Sequence, residues 1–234
     1  LKLSFTLSLV IIISCSTNQE PDKEKANKHM HENSFKELVN RFENKERDTW
    51  QKPNLIFEKL GTLDEKNITD IGAGTGYLSF KLREKGATVV AKDIDERFIN
   101  YIDSINNTLP DSLKIETEVI PKDDPQLKEL TFDLVTLLNT YHHIENRVSY
   151  FYKVWKGLKD GGKLIVIDFK KKDTPHGPPK EMRLNEMEVS KELKKAGFAK
   201  VLIDMNTLEE QYIITAKKVI KKENLMQKSK KYDK

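Results

Sequence analysis

Three glycines stand at alternate positions, Gly72, Gly74 and Gly76, in the stretch NITDIGAGTGYLSF over residues 67–80. Glycine reaches backbone conformations closed to other residues and lets a ligand lie against bare main chain. A strand-like run precedes these glycines and a helix-like run follows them. A loop leaving a strand's carboxyl end for a helix is where open α/β sheets bind ligands. The helix amino terminus adds N–H groups suited to a carboxylate or phosphate. Asp93 ends the next apolar run, TVVAKD, 23 positions after Asp70. A carboxylate there can accept both hydroxyls of a ribose. The two features are consistent with an adenosine-containing ligand, but do not separate NAD from other such ligands. Taken alone, the glycines are a weak signal, with a plain tight turn as the alternative.

These residues need a scaffold that alternates strand and helix. Phe35, Leu38, Val39 and Phe42 recur at helical spacing. Pro53 opens a second helix carrying Leu55, Ile56 and Leu60, which Gly61 ends. A strand at 67–71 is followed by a helix over 77–85, a strand at 88–93 and a helix over 95–106 with Phe98, Ile99, Ile102 and Ile105 inward. LKIETEV alternates as a strand, and TFDLVTLL reads as a buried strand. Val148, Phe151, Tyr152, Trp155 and Leu158 mark one face of a long helix. Gly161-Gly162 then turns into the strand KLIVIDF. This is an α/β protein with a largely parallel sheet covered on both faces. After a last helix, EMEVSKELKKAG, two strand-like runs share a short polar link, so they pair antiparallel.

Together the motifs DIGAGTGYLSF, VVAKDIDERFI, DDPQL, FDLVTLLNTYHHI and LKDGGKLIVIDF, in this order and spacing, resemble those of class I S-adenosylmethionine-dependent methyltransferases over roughly residues 35–217. ERDTWQKP and HGPP…R…ELKKAGF resemble a bacterial subgroup acting on small acceptors. The resemblance implies a three-layer, Rossmann-like fold whose seven strands run 3-2-1-4-5-7-6, with strand 7 antiparallel. It implies S-adenosylmethionine as cofactor. Asp70 would orient the glycine loop or the cofactor's ammonium. Gly72, Ala73, Gly74 and Gly76 would pass under its methionine part. Asp93 would hold the ribose, with Ile94 against the adenine. Asp123 or Asp124 would stand near the adenine amino group, and Asn139 would reach the methionine end by its backbone.

The sulfonium methyl is already activated, so such an enzyme supplies mainly alignment and electrostatics. A protic acceptor needs a base, which suits histidine. Tyr141, His142 and His143 follow strand 4 at the rim, and His142 is placed slightly ahead; packing or capping there is the alternative. Asp168, ending strand 5, faces the acceptor or makes a structural hydrogen bond. His176 stands in a loop that either closes over the site or lies on the surface. Trp50, with Arg47 and Asp48, forms part of a lid or packs a helix end. His29 and His31 could bind metal only opportunistically, and no stable metal constellation is visible. An NAD-dependent oxidoreductase would favour GxGxxG and lack the terminal hairpin. A membrane-tethered, non-catalytic ligand-binding module on the same fold is the other alternative.

The 234 residues are 37% hydrophobic and 33% charged, with net charge +4. The positive excess sits largely in a basic tail at 218–234, without the aromatic-interleaved stripe of a nucleic-acid binder. The apolar run at 3–13 is short for a membrane span and suits a signal-peptide core. Ile12-Ile13-Ser14-Cys15 resembles a bacterial lipobox, which divides the chain into a signal peptide (1–14), lipidated Cys15 with a tether (15–32), and the methyltransferase domain (33–217). Acyl groups on Cys15 would anchor the domain at a membrane facing the periplasm or exterior. Little S-adenosylmethionine is expected there; an unused signal would leave the domain in the cytoplasm. Acceptor identity and oligomeric state stay open.

Overall fold

The computed structural model describes residues 34–219. The signal-peptide, lipobox and tether readings, with Cys15, His29 and His31, lie outside the described residues, as does nearly all of the basic tail. Lys218, assigned to that tail, belongs to the domain: it is buried, its main-chain N–H donates to Gly162 and its Nζ to Leu158 O.

Three short helices come first: α1 (Phe35–Phe42), α2 (Arg47–Gln51) and α3 (Pro53–Leu60). Ser34 caps α1, its hydroxyl accepting from Glu37 N–H while the Glu37 carboxylate accepts from Ser34 N–H. That reciprocal pair satisfies two otherwise orphaned donors. Pro53 preorganises the first turn of α3, and Gly61 closes it at φ 80°. The remainder alternates: β1 (Asn67–Ile71), α4 (Tyr77–Glu84), β2 (Thr88–Asp93), α5 (Glu96–Asn106), β3 (Glu116–Val119), β4 (Phe132–Leu138), α6 (Arg147–Gly157), β5 (Leu158–Phe169), α7 (Glu186–Lys195), β6 (Lys200–Asp204) and β7 (Gln211–Lys217).

The sheet order is β3-β2-β1-β4-β5-β7-β6. All neighbours are parallel except β7, which runs antiparallel to both β5 and β6. This is the expected order and hairpin. The carboxyl ends of β1, β4 and β5 therefore lie side by side, with the start of β7 beside the end of β5. On one face α3, α4 and α5 bury Ile56, Leu60, Leu78, Leu82 and Ile102 against Ile68, Val89, Leu134 and Ile165. On the other, α6 and α7 bury Phe151, Val154, Val189 and Leu193 against Val135, Leu164, Val166 and Ile214. Each such side chain contributes about 1.5–3 kcal/mol when fully buried.

Three expectations need correction. The buried face of α6 is Arg147, Tyr150, Phe151, Val154 and Gly157. Val148 and Tyr152 are exposed, Trp155 is half-buried, and Leu158 already belongs to β5. Two apolar stripes lie side by side on this helix, and the sheet takes the one rotated away from Val148. The strand expected over LKIETEV is shorter: burial alternates from Leu113 to Glu118, but β3 covers only Glu116–Val119 at the sheet edge, with three of its four residues exposed. The second face is also not fully covered, because no helix joins β3 to β4. Pro121 and Pro125, with the acidic residues between them, break helical continuity. Lys92 lies under that connection, its ammonium donating to Gln126 O and paired with Glu118.

Candidate active site

The chain leaves β1 through Gly72, Gly74 and Gly76, all at positive φ (72°, 56° and 85°). A Cβ on Gly72 would stand 2.2 Å from Cγ2 of Thr140, the second residue beyond β4. Thr140 Oγ1 donates to Gly72 O at 3.2 Å. A Cβ on Gly74 would touch Phe42 of α1 at 3.4 Å. A ligand lying on these glycines would therefore meet Thr140 at one end and α1 at the other. A cleft of about 450 Å³ opens among α2, α3 and α4, lined by Asp48, Lys52, Leu55, Phe57, Lys81 and Lys85, and none of the three glycines lines it.

Two carboxylates fix the loop. Asp70 is fully enclosed and accepts from Ser79 Oγ at 2.7 Å and Thr136 Oγ1 at 2.9 Å. Burial pushes its pKa up to about 6, against the pull of those two hydroxyls. Asp93 accepts from Gly74 N–H at 2.9 Å and Asp95 N–H at 3.0 Å, tying the end of β2 to the glycine loop. Burial raises its pKa too, while these N–H groups oppose the shift. Ile94 follows, half exposed. Of the two candidates in the β3–β4 connection, Asp124 is bound to Lys153 at 2.8 Å and to Gln126 N–H. Asp123 is exposed and turns its main-chain carbonyl to the same lysine.

A second polar cluster is built at the ends of β4 and β5 and the start of β7. His142 is buried, and its Nδ1 lies 2.9 and 3.0 Å from the two oxygens of Asp168 at the end of β5. An ionised carboxylate only accepts, so Nδ1 carries the proton and Nε2 is the ring nitrogen left for chemistry. Burial would raise the Asp168 pKa, but His142 and the Phe169 N–H outweigh it and hold the carboxyl below its usual range. The His143 ring is 4.2 Å from that of His142, tilted by 37°.

Tyr141 does not join them. Its ring is fully buried, stacked on Phe151 at 4.6 Å, and its hydroxyl donates to Glu192 at 2.9 Å. Burial and the neighbouring carboxylate raise its pKa well above that of a free phenol. The apolar body of the ring has gone to the core, so Tyr141 is a packing residue.

Residues given lesser weight in the sequence gather beside the end of β5. Trp50 stacks on His176 with ring centroids 4.7 Å apart and 11° between planes, and meets Phe169 at 5.8 Å. Glu210 fixes His176, accepting from its main-chain N–H at 3.1 Å and lying 2.9 Å from Nδ1. Asn139, at φ 59°, accepts through its side-chain oxygen from Gln211, the first residue of β7, and Gln211 accepts from Gln51 of α2. Gln51, Thr140 and Gln211 were missed by the sequence reading. Gln51 does lie within the ERDTWQKP motif.

Residues 69–164 match a family model described as a methyltransferase domain. The structure superimposes on a SAM dependent methyltransferase from Aquifex aeolicus with a TM-score of 0.71 at 23% identity, covering 80% of this chain and all of that one. The chain has the class I methyltransferase fold. The Haemonchus contortus phosphoethanolamine N-methyltransferase 2 shares the fold with a TM-score of 0.61 at 13% identity, over 80% of this chain and 61% of that one. Among curated relatives, phosphoethanolamine N-methyltransferase 1 of Zea mays is 27% identical over 176 residues, 70% of this chain and 34% of the relative. The tRNA U34 carboxymethyltransferase of Colwellia psychrerythraea is 30% identical over 113 residues, 47% of this chain and 34% of the relative. The chain thus spans about a third of the length of these two relatives.

The residues of this methyltransferase fold suit S-adenosylmethionine. Gly72, Gly74 and Gly76 leave the main chain bare at alternate positions, and an acid stands at the end of β2. Two buried polar atoms beside the loop, Gln51 Oε1 and Thr75 Oγ1, have no hydrogen-bond partner among the described residues. No group of three metal-ligating side chains occurs among the described residues, and none of their helices is long and apolar enough to cross a membrane.

Proposed function

We propose that this chain transfers a methyl group from S-adenosylmethionine to a protic small molecule. The observation that carries the reading is the juxtaposition at the sheet's carboxyl edge. The Asp93-anchored glycine loop stands at β1, and the Asp168-held His142 stands beyond the adjacent strand β4. Gly72, Ala73, Gly74 and Gly76 would support the methionine part, Asp93 the ribose and Ile94 the adenine. Asp123 is better placed than Asp124 to reach the adenine amine, because the Asp124 carboxylate is already bound to Lys153.

The cofactor supplies a methyl group activated by its sulfonium. The protein's part is alignment and proton removal. His142 would take the acceptor's proton at Nε2, and Asp168 would hold the ring and stabilise the resulting charge. Positioned proton transfer of this kind contributes roughly 10²–10⁴-fold. Trp50, Phe169 and His176 would exclude water from the acceptor. The Zea mays relative's name makes phosphoethanolamine the first acceptor to try. The reading at Cys15 stays part of the proposal: Ile12-Ile13-Ser14-Cys15 supports a lipid anchor placing this domain at a membrane surface.

Calorimetric titration with S-adenosylmethionine, S-adenosylhomocysteine and NAD tests the reading. Micromolar binding of the first two, weakened by Asp93→Ala, is expected. A folded protein that binds neither would sink the proposal and favour a non-catalytic module; preference for NAD would favour an oxidoreductase.

A further inference from the structure

Tyr212 is the second residue of β7, and the register sets it directly opposite Asp168 of β5. Residues directly opposite in an antiparallel pair share a face of the sheet. That face is the one covered by α6 and α7, where Tyr212 joins the cluster that holds Tyr141, Val166 and Ile214. The residue is fully enclosed, yet its hydroxyl has no hydrogen-bond partner among the described residues. Phenylalanine would fill the same space without stranding a polar atom. A polar group left over in an otherwise consistent core calls for a use other than packing.

The charged and titratable groups that reach this hydroxyl come from four places. Asp168 acts from β5, Tyr141 from the turn after β4, Arg147 from the start of α6 and Glu186 from the start of α7. Burial first, then Asp168, raise the phenol's pKa well above its ordinary value; Tyr141 and Glu186 add to the shift and Arg147 opposes it. Two of these neighbours are already committed to Glu192, which accepts from the Tyr141 hydroxyl and from two nitrogens of Arg147. Asp168 has room. Its carboxylate takes three donors: the Nδ1–H and the main-chain N–H of His142, and the N–H of Phe169. An ionised carboxylate offers about four lone-pair sites, so one is open. His143 and Arg183 also act on Asp168.

We propose that Tyr212 is a positioning residue for the His142–Asp168 pair, its O–H directed at the open side of the carboxylate. A hydroxyl without a fixed partner rotates to follow the local field, and here the carboxylate supplies that field. In an enclosed pocket of low dielectric such a dipole acts more strongly than in water. It offsets part of the carboxylate's negative charge and tempers the pull of Asp168 on the imidazole. His142 then releases its proton more readily and is free to act as a base again. This rests on the reading of His142 as the base for methyl transfer and adds the residue that tunes it.

The test uses the full chain and an NMR titration of the His142 ring, assigned with His142→Ala. Tyr212→Phe keeps the aromatic volume, and its spectrum reports directly that it is folded. His142 should hold its proton on the order of threefold more tightly in this variant, because Asp168 is left with its full charge. The acid limb of methyl transfer should move to higher pH by the same factor, a shift that a purely structural tyrosine would not produce. Glu186→Gln, which removes the second carboxylate that acts on the hydroxyl, should leave His142 unmoved. S-adenosylhomocysteine affinity should be unchanged in both variants, since the glycine loop is untouched. Identical titrations of His142 in wild type and Tyr212→Phe, or an equal shift from Glu186→Gln, would overturn the proposal and leave the methyltransferase reading standing. A shifted ring without a shifted acid limb would uphold the link from Tyr212 to Asp168 and remove His142 as the base.

Discussion

Asp168 grips His142 twice, at ring Nδ1 (2.9 Å) and at the main-chain N–H (3.3 Å). The two contacts fix the ring's direction and its tautomer together, and both side chains are almost wholly buried. Such a grip points the remaining nitrogen at one place. In a solvent-exposed pair the ring would be free to turn.

Asp168→Asn should lower the methyl-transfer rate about 100-fold or more, because an amide neither fixes the tautomer nor stabilises a charged imidazole. Binding of S-adenosylhomocysteine should stay within about threefold, since the contacts to the glycine loop are untouched. His142→Ala should lose a similar amount, and the double variant little more than either, as expected of residues acting as a unit. Rate measurements on the three variants check this; additive losses would separate the two residues.

Gly72→Ala adds a methyl 2.2 Å from Cγ2 of Thr140, on a backbone at φ 72°. The clash and the conformation together should cost about 2–4 kcal/mol. The Gly72→Ala/Thr140→Gly double variant removes the clashing side chain but not the conformational strain, so it should recover only part of that loss. Urea unfolding of the single and double variants measures the recovery. Full recovery would mean that backbone strain is negligible there.

The alternation of strands and helices, the glycine loop and the terminal hairpin were legible because apolar runs and glycine punctuation speak through local spacing, whereas the strand order came only with the family resemblance. The face of α6 was not, since Val148–Tyr152–Trp155 and Tyr150–Phe151–Val154 are both apolar stripes and only packing chooses between them. Tyr141 misled for the same reason: a tyrosine serves a core as readily as a site. His142 and Asp168 are 26 positions apart, and their pairing follows from the adjacency of β4 and β5. That adjacency was implied by the expected sheet order but not carried down to side chains. Gln51 gave no local signal, because a five-residue polar helix has no periodicity to detect, and its meaning depends on Gln211, 160 positions away.

Asp70 makes a pH prediction with a defined sign. Its folded pKa, about 6, lies above the ordinary value of 3.8, so the folded chain holds a proton that the unfolded chain has released. Its contribution is fully present below pH 4 and is lost as pH rises towards and through 6, by about 2–3 kcal/mol in total. Asp70→Asn removes that loss. The variant's stability relative to wild type should therefore rise between pH 4 and 6.5 and then level off. Denaturant titrations at several pH values check this; a pH-independent difference would mean that Asp70 ionises normally.

Arg183 holds the loop that follows β5 from within. Its guanidinium donates to the carbonyls of Pro178, Lys170, Lys172 and His176 and to the hydroxyl of Thr174. The side chain is almost fully buried against Phe169. Arg183→Met keeps much of the volume but leaves those acceptors without their donors. Each buried acceptor left unpaired costs about 1–3 kcal/mol, although several can turn to solvent once the loop loosens. The domain should stay folded, because Leu164 and Val166 of β5 and Val189 and Leu193 of α7 hold these elements in the core. Residues 170–183 should exchange amide hydrogens at least tenfold faster, and the Trp50–His176 stack should open. Methyl transfer should then fall more than S-adenosylhomocysteine affinity, as follows from the proposal that the loop covers the acceptor and the glycines carry the cofactor. Hydrogen exchange and paired rate and binding measurements decide the matter: equal losses of rate and affinity would place the loop over the cofactor instead.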